Sequence, residues 1–245
     1  MERMVVQNEQ QERYHEYKYF WANEQTESGK EGAMLPIWRY TGHKEKKRNV
    51  TSICWNPKYK DLFAVGFGSY DFLKPLVNPS LICIYTIKNS NHPEYTFTTE
   101  CGVCSIDFHP TSPALLAVGL YDGTVQVYDI RSKFKKPIYQ SSVRTNKHSD
   151  PVWQVKWNPD SSKGYNFYSI SSDGRVTNWI LMKNKLEAEE VIKLHLVGKN
   201  TEEDSSLIGS ACGLCFDFNK FETHLFLVGT EEGKIHKCSR AFSGQ

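Results

Sequence analysis

Between His148 and Trp179 the chain reads HSDPVWQVKWNPDSSKGYNFYSISSDGRVTNW, and this run restricts the fold more than any other. Val152–Trp157 is rich in β-branched and aromatic residues and stops at Asn158-Pro159, a strand closed by a residue that cannot donate to a ladder. A second strand, Tyr165 to Ser171, meets the turn Ser172-Asp173-Gly174, and a third, Arg175 to Ile180, leaves it. Asp-Gly between two β-type runs is a strong hairpin signal, because only residues that tolerate positive φ match the twist of the flanking strands. Three short antiparallel strands cannot cover both of their faces, so the unit needs neighbours.

Those neighbours are present. Val103–Pro110 repeats the first strand and Leu116–Asp129 the hairpin, with Asp122-Gly123 at its turn. Upstream, Val50–Pro57 and Phe63–Phe67 do the same, and downstream Gly213–Phe218 is followed by a hairpin turning at Glu232-Gly233. The aromatics that close the first strands, Trp55, Phe108, Trp157 and Phe218, recur at intervals of 53, 49 and 61 residues. WD-type propeller blades repeat every ~40–45 residues, so these are blades with lengthened loops. The predicted fold is all-β: a WD-repeat propeller with four blades in this chain, preceded by a short helical leader.

Composition excludes several other classes. Of 245 residues, 39% are hydrophobic and 24% charged, and the net charge of +2 gives no reason to invoke nucleic acid or an anionic membrane as a partner. No apolar run approaches the ~20 residues of a membrane helix, and the N-terminus lacks a secretory apolar core, so a cytoplasmic location is expected. Seven cysteines include two Cys-x-x-Cys pairs, Cys101/Cys104 and Cys212/Cys215. A zinc site or redox pair would use that spacing, but both pairs run straight into a first strand. Redox pairs sit at helix starts, where the dipole lowers the thiol pKa, so half-buried strand cysteines are the expectation, with no metal or cofactor.

Taken in order, residues 1–34 form a polar leader and linker. Met4, Tyr14, Tyr17, Phe20 and Trp21 give an irregular apolar face on good helix formers, and EQTESGKEG follows. Four blades then span 35–97, 98–147, 148–205 and 206–245, the last incomplete. Leu35–Tyr40 reads as a short strand entering the first. His43–Arg48 is a basic loop, and the sequon at Asn49-Val50-Thr51 is a chance hit without a secretory signal. In the first blade Phe72–Pro79 is a protruding insert, and Gly66-Phe67-Gly68 lacks the helix a nucleotide fingerprint needs. Lys133–Pro137 marks an outer turn of the second blade. Asn184–Val197 carries the outer strand of the third, and Gly198–Ser206 is an acidic loop. A chain ending inside its fourth blade is expected to be part of a larger ring, because an open edge leaves unpaired N–H and C=O groups.

His148, Ser169, Asp173 and Trp179 stand where WD-repeat blades place a buried hydrogen-bonded tetrad. Trp has one N–H to donate, Ser and His both donate and accept, and a buried Asp anchors the relay. A hydrolase would need a nucleophile elbow, whereas Ser169 lies inside a strand and the fourth partner is an indole. The tetrad is therefore read as structural, and no catalytic residue is assigned. The other blades keep parts of it. The second has Asp122 and Tyr128, with Val118 in place of Ser; the fourth has Glu232 and Cys238. Residues preceding the turn Asp, among them Tyr70 and Tyr121, point to one rim of the ring. Trp153, set outward from Val152 and Val155, joins them there. Exposed Tyr and Trp on rigid loops are interface anchors, so Tyr70, Tyr121 and Trp153 are the candidate partner-binding residues.

Several long runs resemble dynein intermediate chains of the axonemal outer-arm type: Trp55–Asp71, Asp150–Trp157, Ser171–Arg175 and Val228–Cys238. The leader Glu2–Val5 and the Leu35–Trp38 segment resemble them too, so the similarity spans nearly the whole chain. The resemblance implies a non-catalytic scaffold subunit of a ciliary motor, located in the axoneme. Its propeller would grip the tail of a dynein heavy chain, beside a second intermediate chain and light chains. The chain departs from that pattern in lacking an upstream light-chain-binding segment and the C-terminal blades of a seven-bladed ring. The alternative reading is a generic WD-repeat adaptor that holds a short peptide of a signalling or chromatin partner in the central channel.

Overall fold

The computed structural model describes Val5 and residues 39–40, 42, 48–68, 80–159, 164–196 and 209–240. The leader apart from Val5, the Leu35–Trp38 segment, Tyr70, the Phe72–Pro79 insert and the Gly198–Ser206 loop lie outside them. Arg39 and Tyr40, the described end of the predicted first short strand, belong to no strand.

Among the described residues, fifteen strands form four antiparallel sheets in chain order. The first holds β1 (Asn49–Trp55), β2 (Leu62–Gly68), β3 (Ser80–Thr86) and β4 (Tyr95–Thr99). The second holds β5 (Val103–Phe108), β6 (Leu115–Leu120), β7 (Val125–Asp129) and the two-residue β8 (Tyr139–Gln140). The third holds β9 (Val152–Trp157), β10 (Asn166–Ser171), β11 (Arg175–Leu181) and β12 (Leu186–Lys193). The fourth holds β13 (Gly213–Phe218), β14 (Leu225–Thr230) and β15 (Ile235–Ser239). Within each sheet the strands pair in sequence order, as blades joined by hairpins must. β4 was not anticipated: Tyr95–Thr99 is a short run alternating Thr with aromatics between Pro93 and Gly102, with no hairpin signal of the Asp-Gly kind leading into it.

Each first strand carries the same irregularity. The register slips by one residue between Val50 and Ser52, Val103 and Ser105, Val152 and Gln154, and Gly213 and Cys215. A bulge of this kind leaves one residue unpaired and re-aims its side chain. In the third sheet that residue is Trp153. The bulge also explains why Val152 and Val155, three apart, are both buried: strict alternation would have put them on opposite faces.

The core lies between sheets. One cluster joins Ala64, Ile82 and Phe97 of the first sheet to Val103, Phe108, Leu116 and Tyr128 of the second. A second cluster packs Ala117, Val125 and Val127 on Val152, Val155, Trp157, Phe167 and Trp179. A third packs Tyr168, Ile170 and Val176 on Phe216, Phe226, Val228 and Cys238. Each sheet thus depends on its neighbour for burial, which is the logic of stacked repeats.

Size matching sets how closely the sheets approach. A Cβ on Gly66 would stand 2.6 Å from Val103 Cγ1, and one on Gly119 2.7 Å from Val152 Cγ1. At the third joint the roles are exchanged: Ile170 fills the glycine's place, and the residue facing it is Gly213, whose Cβ would meet Ile170 at 2.6 Å. Two residues swap sizes and the spacing is kept.

A row of hydrogen bonds also ties first strand to first strand. Ser52 Oγ accepts the Ile106 N–H at 3.2 Å, Ser105 Oγ accepts the Val155 N–H at 3.1 Å, and Gln154 Oε1 accepts the Phe216 N–H at 2.7 Å. These are the same two positions at every joint: the first paired residue after the bulge, and the residue following its counterpart in the next sheet. The fourth sheet has Cys215 in the accepting place. Arg240 fastens the last joint, donating to Asn158 Oδ1 at 2.9 Å and lying over the rings of Tyr168 and Phe218.

Candidate partner-binding rim

The hairpin between β10 and β11 turns at Asp173-Gly174, with Gly174 at φ +79°, a conformation glycine adopts without steric cost. That turn delivers Asp173 to His148, whose Nδ1 is 3.0 Å from Oδ2. His148 Nε2 lies 2.7 Å from Ser169 Oγ, and Trp179 Nε1 donates to the same hydroxyl at 2.7 Å. One assignment satisfies every atom: indole N–H to serine oxygen, serine O–H to Nε2, and Nδ1–H to the carboxylate. His148, Ser169 and Trp179 are fully buried. No substrate reaches that hydroxyl, and its hydrogen bonds are already made.

Arg175 completes the set and was not singled out from the sequence. Its Nε and Nη2 donate to Asp173 Oδ2 at 3.0 and 2.8 Å, and Nη2 also donates to the Lys147 carbonyl at 3.0 Å. Burial alone would raise the Asp173 pKa, but the hydrogen bond from His148, with those from the Arg175 backbone and guanidinium, outweighs it and holds the carboxyl well below the usual range. The only sequence signal for Arg175 is its place two residues after a turn Asp.

Among the described residues, the second and fourth blades do not assemble this relay. In the second, Asp122 accepts from Thr124 and from Lys147, while the Tyr128 hydroxyl donates to Gln126 Oε1 at 2.8 Å. Asp122 and Tyr128 therefore occupy tetrad places without meeting. In the fourth, Glu232 accepts the Cys212 N–H at 3.3 Å, and Cys238 is buried among apolar neighbours.

At the rim, two of the three candidate anchors come together. Tyr121 from the second blade and Trp153 from the third pack edge to face across the joint, ring centroids 6.4 Å apart at 87°. The Trp153 indole N–H donates to Ser172 Oγ at 2.5 Å. Both are half-buried, not the outward-standing side chains that alternation suggested. The bulge turns Trp153 along the rim, so its position is fixed by the joint. Tyr70 lies outside the described residues.

Three of the four Cys-x-x-Cys thiols are shifted away from the reactive thiolate form. Burial pushes Cys104 up to about 12, with Asp122 and Cys101 adding to the effect, and burial followed by the nearby carboxylates raises Cys101 and Cys212. Among the described residues no three His, Cys, Asp or Glu side chains are grouped to hold a metal. Another carboxylate that sequence reading passed over, Asp107, lies between the second and third blades. Its Oδ2 accepts the Trp157 N–H at 2.9 Å, and burial raises its pKa to about 6 although that bond, Cys54 and Lys156 oppose the rise.

Comparison with known proteins places this geometry. The family model for the dynein axonemal intermediate chain 3 WD40 domain matches residues 39–172. The flagellar outer-arm 78 kDa dynein intermediate chain of Chlamydomonas reinhardtii is 51% identical over the whole of this chain and 36% of its own length. The ciliary dynein intermediate chain 2 of Heliocidaris crassispina is 47% identical, and the dynein axonemal intermediate chain 1 of Mus musculus 44%, each across all of this chain and 35% of its own length. The chain thus spans about a third of the curated relatives it matches. Antiparallel blades packed on one another, a complete tetrad in the third and similarity along the full sequence lead to one family: the chain belongs to the axonemal dynein intermediate chains, with WD40 blades of that family.

Proposed function

We propose that this chain is part of a non-catalytic scaffold subunit of an axonemal dynein, working in the axoneme of a cilium or flagellum. In this reading the Tyr121–Trp153 rim helps hold the tail of a dynein heavy chain, alongside a second intermediate chain and light chains. The observation that carries it is the 44–51% identity, over the whole chain, to intermediate chains of flagellar, ciliary and axonemal dyneins. The rim supports it physically. A half-buried Tyr–Trp pair locked across a blade joint is a rigid aromatic surface that loses little entropy on binding. The generic peptide-reading adaptor draws no support from these relatives.

The test is a pull-down of the tagged chain from ciliary extract, with mass spectrometry of the captured proteins. A dynein heavy chain is expected, at several-fold lower yield with Trp153→Ala or Tyr121→Ala and at unchanged yield with Lys60→Ala on the opposite rim. Signalling or chromatin proteins without dynein would overturn the proposal. Heavy chain captured equally by all variants would overturn the placement of the rim.

A further inference from the structure

Where the third blade closes its interior with the tetrad, the second blade is open. Thr99 stands four residues before Val103, as His148 stands four before Val152, and Tyr128 holds the place of Trp179. Smaller side chains in those places accompany a crevice of about 380 Å³ between β4 and the β7–β8 pair. Gln126 lines its floor at 5% exposure. Its carbonyl oxygen is taken by the Tyr128 hydroxyl, so what it offers a ligand is its amide N–H₂. Lys135 and Lys136, on the exposed turn between β7 and β8, line the crevice as well and engage no carboxylate among the described residues. Thr98 adds a hydroxyl; Glu100 is the one acid in the lining.

We propose that this crevice binds an acidic side chain presented by an extended peptide that runs along β8. The lining sets the charge of the ligand: two lysines and a buried glutamine amide line one opening, against a single acid, which suits a carboxylate. The sheet edge sets its form. β8 is the outermost strand of the second sheet, so the backbone groups on its far side face away from β7 and can pair with an added strand. A crevice this small and polar takes one side chain, not a nucleobase or an acyl chain. Neither Tyr121 nor Trp153 lines the crevice, and the proposal does not depend on the role assigned to that rim.

Fluorescein-labelled hexaglutamate, followed by anisotropy at low salt, tests it. Saturable binding is expected. It should weaken at least 10-fold in the double variant Lys135→Glu, Lys136→Glu, and equally in Gln140→Trp, which plugs the crevice from an exposed position. Lys60→Glu, away from the site, should bind as the parent does, and all variants should keep the parent's melting temperature. Three results would overturn the proposal: no binding, binding that survives Gln140→Trp, or full displacement by inorganic phosphate at equal total charge. The second would mean surface attraction alone, and the third a site for free anions.

Discussion

The second and third blades share a bulge, a hairpin turn and a pair of matched residues at the joint, yet they are finished inside by different means. The third uses a relay in which indole, hydroxyl, imidazole and carboxylate satisfy one another without water. The second keeps Phe97 against Tyr128, ring centroids 5.0 Å apart, and one Tyr–Gln hydrogen bond, and leaves a crevice beside them. Both are well buried: Leu116, Val118 and Tyr128 are as inaccessible as Phe167, Ile170 and Trp179. The tetrad is therefore not what makes a blade dry. It ties the loop before the first strand to the hairpin, and a blade without it keeps its sheet but gives up that closure.

Substitutions that act on one blade and spare the other sharpen the contrast. The largest effect is expected from Trp179→Ala, which opens a cavity in a fully buried site and strips Ser169 of a donor. Urea denaturation should show a loss of about 3–5 kcal/mol. A loss below about 1 kcal/mol would mean that the relay carries little of the third blade's stability.

Next come two carboxylates with opposite pH signatures. Asp173 is held below its ordinary value, so its stabilising effect is present above pH 3.8 and disappears as pH falls further. Asp107 is raised from 3.8 to about 6, so the folded state holds the proton more tightly, and stability falls as pH climbs through that window. Melting temperatures across pH 2 to 7, as chosen test conditions, should therefore show a reduced acid loss in Asp173→Asn. Asp107→Asn should remove the decline between 3.8 and about 6. Parallel profiles for both variants and the parent would refute the assignment. The smallest effect belongs to Tyr128→Phe, which removes one buried hydroxyl and frees Gln126. About 1 kcal/mol is expected from the midpoint of chemical denaturation, with the fold retained.

Much of the fold was legible because its signals are local. Asn-Pro after Trp55 and Trp157, and Asp-Gly at 122–123 and 173–174, punctuate strands whatever else the chain does. The tetrad was legible because its members keep fixed offsets from the turn Asp. What was missed depends on residues 32 to 50 positions apart. Nothing local says that Ile170 and Gly213 trade sizes, that Asp107 caps the Trp157 amide, or that Tyr121 meets Trp153. The spacing of Val152 and Val155 was a local hint of the bulge, since two buried residues three apart cannot share one face of a regular strand. Trp153 was placed too far outward because that hint was read as alternation.

The bonds between first strands have a consequence for how blades can be ordered. Every joint hands a side-chain oxygen forward and takes it with a backbone N–H from behind. A blade accordingly has a front and a back that are chemically unlike. Turning one around would set donor against donor on one side and acceptor against acceptor on the other. Exchanging the third and fourth would ask the thiol of Cys215 to do the work of an amide or hydroxyl oxygen. The stack is written in one direction, and its blades are not interchangeable parts.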